Sequence, residues 1–214
     1  MTASTPRARR SQQERRAVTV DRLVAATVET ILELGYYRTS VKEICTRAGL
    51  SVGAMFRQFD SRLELIGKVA LDLTEQILES YRSAAKVLQA QPDPRRSAIE
   101  FLAASASAPL TDVWRELMMA ARTDAELRAM IAPSLPLLYE GAYELTEELG
   151  LFGNVPESER RVLLFSMMHM FSGATLTRPI YPLPDIDEQR VSLAAHYLSL
   201  AADLEPSIPG EVTT

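Results

Sequence analysis

Residues 39–62 read Thr-Ser-Val-Lys-Glu-Ile-Cys-Thr-Arg-Ala-Gly-Leu-Ser-Val-Gly-Ala-Met-Phe-Arg-Gln-Phe-Asp-Ser-Arg, and the order of residue types in them decides the fold of the N-terminal part of the chain. Thr39 or Ser40 caps a helix, and Glu43, three positions after Ser40, completes a capping box. Val41, Ile44, Cys45 and Ala48 recur at helical spacing and give that helix one buried face. Gly49 supplies the left-handed backbone of a tight turn. Leu50 fills the corner, and Ser51 caps a second helix of about seven residues. Met55 and Phe59 point inward from it, which leaves Val52, Gly53, Ala54, Phe56, Arg57 and Gln58 facing out. Two short helices about a glycine turn form a helix-turn-helix, a device that sets its second helix in the major groove of DNA. Cys45 falls on the buried face as a small core residue; a reactive thiol is the alternative.

Upstream, Leu23, Val24, Thr27, Val28, Ile31 and Leu34 mark a helix from about Val20 that ends at Gly35. Residues 1–17 carry Arg7, Arg9, Arg10, Arg15 and Arg16 and almost no large apolar group. They are expected to be a disordered arm that follows phosphates or enters a minor groove, or else a solvated tail. Downstream, the pattern predicts a long helix from Arg62 to Gln89, stopped by the prolines at 92 and 94, and helices over 96–106 and 111–122, the latter opened by Pro109. A seventh, capped by Thr123-Asp124, runs to Leu149 with a bend at Pro133 and Pro136. After a loop over 150–155, an eighth helix starts at Pro156 and ends near Thr177. A proline-rich connector at 178–184 leads to a ninth over 187–204. The chain is therefore expected to be all-α with nine helices. The expected divisions are the arm 1–17, a helix-turn-helix domain 18–64, a ligand-binding and dimerisation domain 65–205, and a disordered tail 206–214.

The net charge of -5 averages two unlike parts. Residues 1–62 hold 11 Lys and Arg against 6 Asp and Glu, which leaves +5, while the remainder holds 12 against 22, which leaves -10. A basic head suits a polyanion, and an acidic body is repelled by one. A single cysteine excludes an internal disulfide and fits a reducing compartment. No signal-like or membrane-length apolar run occurs, so a cytoplasmic protein without a membrane partner is expected. Catalysis finds little support. The only histidines, His169 and His196, lie in different helices, and no HExxH, nucleophile elbow, P-loop or dinucleotide turn is present. No catalytic residue, cofactor or metal site is expected.

The stretch from Arg22 to Leu65 resembles the DNA-binding head of TetR-family transcriptional regulators. The residues that carry the likeness are Gly35-Tyr36, Thr39-Ser40-Val41, Ile44, Ala48-Gly49-Leu50-Ser51, Gly53, Phe59, Ser61 and Leu65, in the family's order and spacing. The resemblance implies a homodimer on a palindromic double-stranded DNA operator, a small-molecule effector, and most often repression; activation is the variant within the family. It places Thr39, Ser40 and Arg62 at phosphates and Ser51, Val52, Ala54, Phe56, Arg57 and Gln58 at the groove. Three positions depart from the family pattern: Phe56 in place of tyrosine, Arg57 in place of an aromatic or histidine, and Leu63 in place of an acidic residue. An all-helical ligand carrier with little DNA binding is the rival reading.

The apolar faces of the body suggest a pocket for an apolar or aromatic molecule, with Phe101, Trp114, Met118, Tyr139, Tyr143, Met168 and Phe171 as its wall. Ordinary core packing is the simpler account of any one of these. The last two helices are expected to pair with their copies, through Met167, Met170, Ala174, Ala194, Tyr197, Leu198 and Ala201. Ligand binding is expected to shift helices six and seven, swing the long fourth helix and change the spacing of the two recognition helices.

Overall fold

A computed structural model of the chain describes residues 12–203, and all regular structure among them is helical. The elements are α1 (Gln12–Leu34), a 3₁₀ turn (Tyr36–Arg38), α2 (Val41–Ala48), α3 (Val52–Phe56), α4 (Arg62–Leu88) and α5 (Pro94–Ala106). They continue with α6 (Pro109–Ala121), α7 (Ala125–Ile131), α8 (Ser134–Glu148), α9 (Glu157–Thr177) and α10 (Pro184–Asp203). The nine expected helices are all there. The bend expected in the seventh is an interruption at Ala132-Pro133, so its two halves are numbered α7 and α8.

Helix ends follow local chemistry. α1 begins at Gln12, which corrects the expectation of a disordered arm as far as residue 17. Gln, Glu, Arg and Ala are all strong helix formers, and the Thr19 hydroxyl closes on the Arg15 carbonyl at 2.8 Å. Arg7, Arg9 and Arg10 lie outside the described residues, as does the tail expected over 206–214. α5, α6 and α10 each start at a proline; Pro109 is the expected opening of α6, while Pro94 and Pro184 stand two and three residues ahead of the sequence estimate. A first-position proline forfeits no hydrogen bond and its φ is already helical.

The helices group into two compact units. The first comprises the described residues up to Asp72 together with Val113–Ile131. The expected boundary at residue 64 therefore falls inside this unit, for three reasons. Glu116 accepts the Tyr36 N–H at 3.1 Å. The hydroxyls of Tyr37 and Thr123 meet at 3.4 Å. Met130 lies so close to Gly67 that an added Cβ would stand 2.6 Å from its sulfur. Leu23, Ile44, Met55, Leu65, Ile66 and Val69 are fully buried here, each worth about 1.5–3 kcal/mol. The buried hydroxyls of Thr27 and Thr30 are spent on the Leu23 and Ala26 carbonyls at 2.7 and 2.6 Å.

The second unit holds Leu73–Asp112 and the chain from Ala132 onward. One of its cores joins Ile99 and Ala106 of α5, Met167 and Phe171 of α9, and Ala194, Ala195 and Leu198 of α10. Another joins Ala142 of α8, Phe152, Val155, Leu164, Met168 and Ala202, with Tyr139 and Tyr143 packed against it. Among the described residues, no helix is long and apolar enough to cross a membrane.

Candidate nucleic-acid interface and apolar cavity

The first unit sets α3 through three local devices. Ser40 caps α2, its hydroxyl oxygen accepting the Glu43 N–H at 3.2 Å. Gly49 takes φ 62° and ψ 38°, the left-handed turn the sequence anticipates. Ser51 then caps α3, accepting the Ala54 N–H at 3.1 Å. Arg22, which the sequence reading passed over, closes the turn by donating to the Ala48 carbonyl at 2.5 Å. That carbonyl is one of the orphans at the end of α2.

Val52, Phe56 and Arg57 are exposed, Phe56 by 49%, and Met55 is wholly buried beneath them. Ser51 is exposed and Ala54 half-buried. At Gly53 an added Cβ would meet nothing within 4 Å, so the outer face of α3 is open at that point. Gln58 is half-buried and accepts from Arg16 at 3.1 Å, which ties α1 to the end of the motif. Burial pushes the Cys45 thiol up, as fits a core position.

Thr39 and Arg62, both expected at phosphates, are engaged within the protein. Thr39 is 1% exposed, and its hydroxyl donates to the Gly35 carbonyl at 2.8 Å. Arg62 is turned inward: Nε donates to the Thr39 carbonyl at 2.6 Å and a terminal nitrogen to the Tyr36 carbonyl at 2.7 Å. Its guanidinium also stacks over the Tyr36 ring, 4.4 Å from the centroid. It fixes the loop before α2 by supplying a donor to the Thr39 carbonyl and a second one to the Tyr36 carbonyl, which also accepts the Thr39 N–H at 3.2 Å. Ser40 remains exposed with its hydroxyl hydrogen uncommitted, and Lys42 is exposed beside it in the first turn of α2.

The second unit contains an apolar cavity of about 80 Å³. Its wall is built from α4 (Tyr81, Leu88), α5 (Ile99, Phe101, Leu102), α8 (Leu145, Thr146), the following loop (Leu151, Phe152), α9 (Leu164, Met167) and α10 (Leu198). No Lys, Arg, Asp or Glu lines it. Of the expected wall residues, Phe101 is on it. Tyr139, Tyr143, Met168 and Phe171 belong to the surrounding cores. Trp114, 1% exposed, and Met118, 38% exposed, lie in the first unit. Tyr81 and the loop were missed because neither breaks the helical stripe in a way that marks a wall.

Polar groups around the cavity are mostly satisfied. The Tyr139 hydroxyl and His169 Nε2 are 2.7 Å apart, and burial pushes the Tyr139 phenol up. Tyr143 donates to Glu147 at 2.5 Å and Arg160 donates to the same carboxylate at 2.9 Å; these bonds hold Glu147 below the usual carboxylate range. Among the described residues no cluster of His, Cys, Asp and Glu could hold a metal ion.

The dimer residues expected on α9 and α10 are largely turned inward. Met167, Ala194 and Leu198 are buried against α5, and Met170, Ala174 and Ala201 are half-buried. Tyr197 is 59% exposed, and it is Leu193 and Leu200, one helical turn to either side, that share its face.

A model of the bacterial regulatory proteins of the tetR family matches residues 23–69, the span from α1 into α4. A helix-turn-helix transcriptional regulator of Mycobacterium tuberculosis is 32% identical over 190 residues, covering 89% of this chain and 97% of that one. The chain belongs to the TetR family of transcriptional regulators. Solved structures agree in fold. A TetR-family regulator of Mesorhizobium loti superposes with a TM-score of 0.66 at 16% identity, over 87% of this chain and 97% of that one. The multidrug binding protein EbrR, solved with imidazole, gives 0.61 at 16% identity, over 88% and 97%. The matched span holds α2, the glycine turn and the exposed α3, and the family is one of DNA-binding regulators rather than enzymes.

Proposed function

We propose that this TetR-family regulator is a cytoplasmic repressor that binds a palindromic operator as a homodimer and releases it when an apolar molecule enters the second unit. The observation that carries the reading is the uncharged cavity. An apolar wall without charged groups favours an apolar ligand, whose burial there removes apolar surface from water. EbrR, similar in fold, was solved with a small molecule bound, which supports a ligand site in this architecture. Ser40 and Lys42 are positioned to meet phosphates, and Val52, Ala54, Phe56 and Arg57 to meet bases.

The expected route of coupling shifts from helices six and seven to α4. α4 is a continuous helix whose Tyr81 and Leu88 line the cavity and whose first residue, Arg62, fixes the loop ahead of α2. A ligand that moves Tyr81 acts on the helix that also carries Arg62, so the spacing of two recognition helices on a half-site pair changes and affinity falls. Fluorescence anisotropy on DNA upstream of the gene for this protein tests the reading. A sequence-selective complex that weakens steeply with salt, and that neutral apolar compounds dissociate, is the expected result. Binding without sequence preference, or without any ligand response, would count against it.

A further inference from the structure

Tyr81 stands on the cavity wall, its ring edge-on to Phe101 with centroids 5.5 Å apart. Apart from Tyr81, the only wall hydroxyl is that of Thr146, which has spent its hydrogen on the Ala142 carbonyl at 2.8 Å. The Tyr139 hydroxyl is engaged with His169. The Tyr81 hydroxyl has no hydrogen-bond partner among the described residues. Burial, and then the nearby Tyr139, push its phenol up to about 12, so at neutral pH it stays protonated and is a donor. Tyr81 is half-buried, and a phenol on an apolar wall with no protein partner is a donor left available to a ligand.

We infer that Tyr81 is the specificity residue of this cavity, donating to the single acceptor oxygen of an otherwise apolar, uncharged ligand such as a cyclic or short branched ketone, ether or ester. This rests on the cavity being the effector site. A carboxylate ligand finds no cation on the wall, and a pure hydrocarbon leaves the donor unpaired. Discrimination therefore comes from one hydrogen bond in a shape-limited apolar space, the arrangement in which a missing polar partner is penalised most.

Titration calorimetry with the full chain and a Tyr81→Phe variant tests this, using cyclohexanone and methylenecyclohexane as probes. The two share a ring and differ only in whether the exocyclic atom accepts a hydrogen bond. The substitution is expected to weaken cyclohexanone about tenfold, the worth of one net hydrogen bond, and to leave methylenecyclohexane as tight or tighter, since no donor is then left unpaired. The carbonyl stretch of bound cyclohexanone should be lowered in the wild type and return upward in the variant. Equal effects on both probes, or an unmoved carbonyl stretch, overturn the role of Tyr81 and leave the cavity as an effector site. Failure of both probes to bind the wild type overturns the two readings together.

Discussion

Arg57 is exposed on the far end of the recognition helix, whereas Arg62, five residues on, shares its guanidinium between two carbonyls and a tyrosine ring. The same residue type therefore does different work, and the two truncations separate it. Arg57→Ala is expected to leave the melting temperature in place and cost operator binding about 1–3 kcal/mol, with relaxed preference at one base position. Arg62→Ala is expected to lower stability by about 2 kcal/mol, since the Thr39 carbonyl loses its donor, the Tyr36 carbonyl loses one of two, and the stack on the Tyr36 ring goes; thermal unfolding followed by circular dichroism reads it. Tyr81 adds a pH signature. Its folded pKa is raised, so the stability it contributes is fully present below the ordinary tyrosine value near 10 and is lost as pH rises toward about 12. Denaturant midpoints at pH 9 and pH 12 should fall further in the wild type than in Tyr81→Phe. Sequence spacing alone assigned Met55 and Cys45 inward and Phe56 and Arg57 outward, because helical period is a local property. The phosphate roles of Arg62 and Thr39 came from the family resemblance instead, and their contacts to Tyr36 and Gly35 lie across a loop that no periodicity reveals.

At the scale of elements, the caps and breakers carried most of the information. Ser40, Gly49, Ser51 and the prolines at 94, 109 and 184 stand at helix ends, each for a reason that acts within one turn of backbone. α10 was harder. Leu193, Tyr197 and Leu200 form one face and Ala194, Leu198 and Ala202 the next, so the helix is apolar most of the way round and its sequence does not say which face the subunit keeps. The structure gives the alanine face to the interior, where small side chains let α5 approach. The cavity was harder still, since its wall draws on five helices and a loop, and a void is a property of how they fail to meet. Ala98 of α5 lines it. Ala98→Leu is expected to fill it, raise the melting temperature by a few degrees, leave operator affinity unchanged and abolish dissociation by neutral ligands. A variant that still releases DNA on ligand addition would place the effector elsewhere.

For the molecule as a whole, the charge division has a consequence for assembly. A head of +5 gives each protomer a modest, salt-sensitive hold on DNA, while the remainder at -10 opposes it. One head alone is therefore expected to bind weakly, and useful affinity to come from two heads held by one dimer, the second engaging at high effective concentration. The face of α10 formed by Leu193, Tyr197 and Leu200 is exposed by 54%, 59% and 50%, an apolar stripe of the kind that marks an interface rather than a solvated helix. Because the stripe makes no part of the buried cores, charge can be put on it without disturbing them. The double variant Leu193→Glu, Tyr197→Glu is accordingly expected to keep the helical circular dichroism spectrum and to sediment at half the wild-type mass. On a palindromic site its affinity should fall to that of the wild type on a single half-site. If the variant remains dimeric, pairing runs through another face; if it becomes monomeric and keeps full operator affinity, the bivalent account of binding is wrong.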